Sequence, residues 1–145
     1  MRSYAKLVAF TGAAAALTVA FVVSTTAVRA EQAKTAKDGV YSEAQAQKGE
    51  ALYGEQCAAC HGSDLSGGGA PALAGADFLG FWDKTPMADL VEKIQASMPA
   101  SAPGSLTRAQ SAEITAYMLK ANKYPAGAED LSSDAAVLKT INIVK

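Results

Sequence analysis

Residues 57–61 read Cys-Ala-Ala-Cys-His, and they hold both cysteines and the only histidine of this 145-residue chain. A disulfide between Cys57 and Cys60 would close too small a loop to add much stability. A structural zinc site needs four ligands, usually Cys or His, and the motif offers three. A thioredoxin-like redox pair uses the same cysteine spacing but needs a βαβ context, which the sequence pattern does not show. The five residues therefore indicate one site that uses all three side chains together.

The spacing C-x-x-C-H is the attachment signature of c-type haem. Cys57 and Cys60 can each add to one vinyl group of the porphyrin, and His61 then lies beneath the ring, where its Nε2 can bind the iron. Covalent attachment leaves neither thiol free, which suits an exported protein. The sequence therefore predicts one haem c, held covalently through Cys57 and Cys60, with His61 as an iron ligand.

The first thirty residues have the features of an export signal. Arg2 and Lys6 form a positive start, residues 7–28 carry no charge, and the segment ends in small residues at Ala30. This order predicts a signal peptide over 1–30, cleaved after Ala30, and hence a periplasmic location. A membrane anchor formed by 7–28 stays open as an alternative, because about 22 uncharged residues are long enough to span a bilayer.

From Glu31 onward the chain has the length of one small, mildly acidic domain. Ten Lys and Arg stand against fourteen Asp and Glu in this part, a net charge of −4. A nucleic-acid binder would show a basic patch instead. Large apolar side chains are scarce, with a single Trp and few Phe and Tyr, so a core built from them alone would be thin. A large buried cofactor would fill that core.

Helical periodicity predicts an all-α chain with long loops. The polar segment 31–41 is predicted to be a flexible leader, and the glycine-rich stretch 62–80 a loop with one short turn. Ser42 with Gln45, and Thr107 with Gln110, are predicted capping boxes. The predicted helices run over 43–56, from Pro86 (capped by Thr85) to about 96, from 107 to about 121, and over 134–139 in the tail.

The order of these features resembles the class I cytochrome c family: a first helix leading into C-x-x-C-H, a glycine-rich loop with a proline, a later Met-Pro, and a final helix. The resemblance covers roughly Gln45 to Asn122 and is carried above all by GEALYGEQCAACHG at 49–62. It implies an all-α cytochrome c fold of about four to five helices with long loops around one covalently bound haem. The cytochrome c domain would span 42–124, followed by a C-terminal extension at 125–145.

The resemblance implies methionine as the second axial ligand, since His61 is the only histidine. Met87 is predicted near the start of a helix. Met118 lies on the apolar stripe of the last helix, where methionine is usually core filler. Met98 precedes Pro99 in a loop, as the ligand methionine does in the family, and is predicted to bind the iron opposite His61. An open or weakly bound sixth position is the remaining alternative.

The resemblance implies further haem contacts. In the family a loop proline carbonyl accepts a hydrogen bond from the ligating histidine, and Pro71 matches this position. Leu73 would pack on the haem. Trp82, the only tryptophan, would either bond a haem propionate or line the pocket. The family's first helix contacts its last, and Gly49 with Tyr53 lie on one face of the predicted first helix, as such a contact requires.

The function that the resemblance implies is electron transfer rather than catalysis. The chain is predicted to be an exported monohaem cytochrome that moves single electrons between redox partners in the periplasm. The expected partners are a periplasmic quinoprotein dehydrogenase, a cytochrome complex or a terminal oxidase. No nucleic acid is expected, and a membrane only if residues 1–30 are retained. Two alternatives stay open: a haem subunit of a dehydrogenase complex that docks through 125–145, and a gas-binding haem, against which Met98 argues.

Overall fold

The computed structural model describes residues 33–145, and the predicted signal segment 1–30 lies outside them. Helices dominate this part, which confirms the all-α class. The helices are α1 (Glu43–Gln56), α2 (Ala58–His61), α3 (Ala76–Trp82), α4 (Met87–Ser97), α5 (Arg108–Ala121) and α6 (Ala135–Leu138). Two short strands, β1 (Lys34–Thr35) and β2 (Ile141–Asn142), pair in parallel. None of the helices within 33–145 is long and apolar enough to cross a membrane.

Helices α1 and α5 make the most extensive helix contact of the described domain. Gly49 permits this contact, because a Cβ at that position would lie 1.8 Å from the carbonyl oxygen of Glu113 in α5. One turn later, the rings of Tyr53 and Tyr117 meet with centroids 5.3 Å apart. The structure thus confirms that Gly49 and Tyr53 lie on one face of the first helix and meet the last one.

One of the two predicted capping boxes is wrong. Thr107 and Gln110 form theirs at the start of α5. At the start of α1, Ser42 Oγ accepts the backbone N–H of Gln45, but the Gln45 side chain does not return to Ser42. It is buried instead, and its amide pairs with the backbone N–H and carbonyl of Leu131, at 2.6 and 2.9 Å. A tertiary partner has replaced the local one.

The region between the motif and α4 also differs from the prediction. Helix α3 extends the expected short turn to seven residues, Ala76–Trp82. Thr85 does not cap α4; its hydroxyl donates to the carbonyl oxygen of Trp82 at 2.6 Å. Pro86 is the capping residue and Met87 the first residue of the helix. The residues of α4 that are buried in the core are Met87, Ala88, Leu90, Val91 and Ile94.

Residues 33–41 are packed into the domain, so the prediction of a flexible leader over 31–41 is wrong for this part. The segment forms β1 and a 3-10 helix over Ala36–Asp38. Ala36 and Tyr41 are fully buried, and the Tyr41 hydroxyl donates to the carbonyl oxygen of Tyr124 at 2.7 Å. Because all these partners lie in the second half of the chain, local composition did not reveal them.

The tail 125–145 belongs to the same packed unit. Its four buried aliphatic side chains are Leu131, Leu138, Ile141 and Ile143. These side chains are buried in the tail's own domain. Val137 is the large aliphatic side chain of the tail that is exposed. We call residues 33–41 and 125–145 together the terminal clasp, because the two segments pair with each other through β1 and β2.

The α1–α5 contact is tested by two glycines of the same helix. Gly49→Ala is expected to lower the free energy of unfolding by about 1–3 kcal/mol or more, because the new Cβ meets backbone that cannot move alone. Gly54→Ala is expected to raise it by up to about 1 kcal/mol, since no atom lies within 4 Å of that Cβ and alanine favours helix. Urea unfolding measures both changes. Equal effects of the two substitutions would contradict the close contact.

Candidate haem site

The motif forms its own turn at the end of α1. Cys57 interrupts the helix with φ −127° and ψ −34°. Its carbonyl oxygen then accepts the backbone N–H groups of Cys60, at 3.1 Å, and of His61, at 3.0 Å. The two thiols are unpaired; Cys57 is partly buried and Cys60 exposed. Burial raises the pKa of the Cys57 thiol above its ordinary value, with a smaller contribution from Cys60.

The orientation of His61 is determined by a carbonyl group. The ring is almost fully buried, and its Nδ1 lies 2.7 Å from the carbonyl oxygen of Pro71. A carbonyl oxygen can only accept, so Nδ1 must carry the proton. In the neutral ring Nε2 then carries the free lone pair, and it is the ring nitrogen that can bind a metal. The hydrogen bond therefore selects the tautomer that an iron ligand needs.

The loop after the motif folds back onto it. The backbone N–H of Gly67 donates to the carbonyl oxygen of His61 at 2.9 Å. Gly62 has a φ of +80°, which favours glycine, and a Cβ there would lie 2.8 Å from the carbonyl oxygen of Gly67. This tight return brings Pro71 within reach of the histidine ring.

The side chain of Asn122 holds the next part of the loop. The carbonyl oxygen of Leu65 accepts the backbone N–H of Leu73 at 2.9 Å. The Asn122 side chain donates to the carbonyl oxygen of Leu73 at 3.0 Å and accepts the N–H of Gly75 at 2.9 Å. Leu73 is half-buried against the core. No local sequence signal indicates this role, because an asparagine directly after a helix is also a common helix end.

Trp82 and Met98 lie on other elements. Trp82 ends α3, partly buried, with ring centroids 6.4 Å from Phe78 and 5.2 Å from the exposed Phe81. Met98 follows the last residue of α4, donates its N–H to the carbonyl oxygen of Ile94, and is partly buried. Within residues 33–145, no hydrogen bond joins either side chain to the motif.

The other two described methionines are core residues. Met87 is 0% exposed and Met118 is 1% exposed. Both sulfur atoms are enclosed by the chain's own side chains, whereas Met98 lies at the edge of the core where α4 ends. Burial thus separates Met98 from the two other candidates.

Residues 44–118 match the family model described as cytochrome c oxidase, cbb3-type, subunit III, just over half of the chain. The chain belongs to this family of c-type cytochromes. Comparison with curated proteins gave no match, and comparison with solved structures gave none either. The match begins in the first turn of α1 and ends within α5, so the terminal clasp of this cytochrome lies outside it.

The residues of the motif fit the haem that the family implies. Two thiols lie three residues apart on one turn, and the bond from Nδ1 to Pro71 leaves Nε2 of the adjacent histidine as the nitrogen that can bind iron. The glycine-rich loop holds Pro71 against that histidine. The donor set and the orientation of the ring therefore agree with covalent haem c in this cytochrome.

Tyr53 connects the helix contact to the motif. Its hydroxyl donates to the carbonyl oxygen of Gly62, directly after His61, at 2.5 Å. Burial raises the pKa of Tyr53 to about 12, with smaller contributions from the negative charges of Cys57, Tyr117 and Asp64. The neutral phenol that donates this hydrogen bond thus persists to high pH.

The pKa of Tyr53 predicts an alkaline loss of stability. Because the folded pKa lies above the unfolded value of 10, the folded state holds its proton longer. The contribution of Tyr53 is fully present below pH 10 and is expected to decrease as pH rises towards 12. Tyr53→Phe should cost about 0.5–1.5 kcal/mol at pH 7 through the lost hydrogen bond, but flatten the decline above pH 10. Denaturant unfolding at pH 7, 10 and 12 measures this; an unchanged slope would refute it.

Proposed function

We propose that this cytochrome is an exported monohaem electron carrier, with haem c attached through Cys57 and Cys60 and the iron bound by His61 and Met98. The observation that carries the proposal is the hydrogen bond from His61 Nδ1 to the Pro71 carbonyl, beside two unpaired thiols. It supplies the histidine tautomer that coordination requires, at the one place in the sequence with the haem-attachment spacing.

Each residue of the motif has a distinct role in this proposal. Cys57 and Cys60 would hold the porphyrin through two thioether bonds. His61 would bind the iron through Nε2, and the Pro71 carbonyl keeps its ring from rotating and increases its basicity. When bound, the haem stores one electron as its iron alternates between the ferric and ferrous states. A ligand fixed in this way moves little between the two states, which favours rapid electron transfer.

Met98 is the proposed sixth ligand because of its position and burial. Met87 and Met118 are enclosed in the core, while Met98 stands where α4 gives way to a loop. A thioether ligand raises the reduction potential relative to a second nitrogen ligand. It also occupies the position that a gas molecule would need, which favours a carrier over a gas sensor.

Leu73 and Trp82 are proposed to line the haem pocket. Leu73 is presented by the loop segment that Asn122 and Leu65 hold, and would cover part of the porphyrin against water. The partly buried indole of Trp82, at the end of α3, would donate its N–H to a haem propionate. The packing of Trp82 against Phe78 and Phe81 would orient the indole for this bond.

We propose the periplasm as the location, on the basis of the signal-like residues 1–30. The proposed partners are redox proteins such as a quinoprotein dehydrogenase, a cytochrome complex or a terminal oxidase. A second candidate is that the chain is a haem subunit of a larger oxidoreductase, since the matching family is described as an oxidase subunit. Purification from the native membrane and periplasm separates the two, because a subunit co-purifies in stoichiometric amounts and a free carrier does not.

The proposed ligand set is tested in the protein expressed with haem c maturation. Wild type is expected to retain haem on a denaturing gel and to show the weak near-infrared band of sulfur–iron ligation when oxidised. Met98→Leu should abolish that band, lower the midpoint potential and allow rapid carbon monoxide binding to the reduced protein, because leucine cannot bind iron.

Met118→Leu is the matched control for this substitution. It removes the same sulfur from a core position, and is expected to cost less than about 1.5 kcal/mol while leaving the band and the potential as in wild type. Persistence of the band in Met98→Leu, or its loss in Met118→Leu, would refute the choice of Met98.

A further inference from the structure

The terminal clasp joins the two ends of the domain by close backbone contacts. A Cβ on Gly127 would lie 1.9 Å from the carbonyl oxygen of Gly39, so the two segments cross at van der Waals distance. Beside this crossing, the backbone N–H of Gly127 donates to the carbonyl oxygen of Tyr41 at 2.7 Å. The clasp is thus a tightly built unit, although it lies outside the region that matches the family.

The end of the clasp binds the turn that connects α3 to α4. The backbone N–H of Lys84 donates to the carbonyl oxygen of Ile143 at 2.7 Å, and the N–H of Ile143 donates to that of Thr85 at 2.9 Å. Next to these bonds, Asn142 forms an antiparallel bridge with Pro86. The Ile143 side chain is completely buried. Residues 141–145 therefore hold the turn in two ways, through backbone hydrogen bonds and through the buried side chain of Ile143.

These contacts act on α4, the helix that ends directly before Met98. Pro86 is the capping residue at the start of α4, and Met98 is the residue directly after its end. Both α6 and β2 pack against α4. A helix of eleven residues transmits a displacement of its first turn to its last, because its backbone is continuously hydrogen-bonded. The clasp is therefore placed to determine where Met98 stands.

We propose that Ile143 is a positioning residue for the sixth ligand: residues 141–145 hold the α3–α4 turn, and this grip keeps the sulfur of Met98 on the iron. The inference rests on the proposed function, since it takes haem at the motif and Met98 as ligand. The inference goes beyond the proposed function because it assigns the tail a role in the binding of the sixth ligand. The family match does not include the tail.

The test compares Ile143→Ala with Leu131→Ala. Both changes remove the same number of carbon atoms from a buried aliphatic side chain of the tail. They differ in what the residue holds: Ile143 is bonded to the α3–α4 turn, whereas the backbone of Leu131 is bonded to Gln45 in α1. In the holoprotein, Ile143→Ala is expected to weaken the near-infrared sulfur–iron band and to accelerate carbon monoxide binding to the reduced iron. Leu131→Ala is expected to match wild type in both, at a similar loss of unfolding free energy.

A second pair keeps the test decisive if the alanine variants do not fold. Ile143→Val and Leu131→Val remove a single carbon each, and the same contrast is expected between them. Hydrogen exchange provides an independent readout, since the amide of Lys84 should lose protection in Ile143→Val and keep it in Leu131→Val.

The outcomes separate this proposal from the proposed function. Wild-type protein without covalent haem, or with haem but no sulfur–iron band, would overturn the proposed ligand set and the role of Ile143 with it. If wild type has covalent haem and the sulfur–iron band, equal rates of carbon monoxide binding in the Ile143 and Leu131 variants would overturn the positioning role alone. A faster rate confined to the Ile143 variants supports it.

Discussion

The backbone of α1 rests directly on α5 at Gly49, and the candidate haem site depends on this contact. Helix α1 runs into Cys57, so the depth at which it lies on α5 determines where the motif begins. One turn after the contact, Tyr53 packs on Tyr117 and donates to the carbonyl oxygen beside His61. A larger side chain at position 49 would displace the helix and the motif together. The phenol of Tyr53 thus connects the packing of the two helices to the backbone beside His61.

The site is held by a series of hydrogen bonds that runs from the motif to the following loop and from that loop to Asn122. The turn at Cys57 places the two thiols on one turn of the chain, and the backbone N–H groups of the loop that follows donate to carbonyl groups of the motif. This return allows Pro71 to accept from His61. Asn122, at the far end of α5, holds the same loop at Leu73. Within residues 33–145, no buried side-chain nitrogen or oxygen lacks a partner. Such complete pairing keeps the ring of His61 in one orientation.

The terminal clasp gives this member of the family a second means of holding its helices. The matched region contains α4 and the motif, but the residues that grip the start of α4 lie after it. The tail packs on its own domain through Leu131, Leu138 and Ile143. Its backbone is hydrogen-bonded to the side-chain amide of Gln45 in α1 and to the backbone of the α3–α4 turn. The clasp thereby connects the helix that precedes the motif to the helix that precedes Met98.

The sequence by itself determined the features that depend on neighbouring residues. Helical periodicity and the Thr107 cap located α1 and α5, because these signals act within one or two turns, and the spacing of Cys57, Cys60 and His61 indicated haem c. Only the tertiary structure decided which partners distant groups take. The buried amide of Gln45 pairs with Leu131 rather than with its own cap, and residues 33–41 pack on the tail rather than remaining flexible. Composition cannot show such pairings, because each needs two segments that only the folded chain brings together.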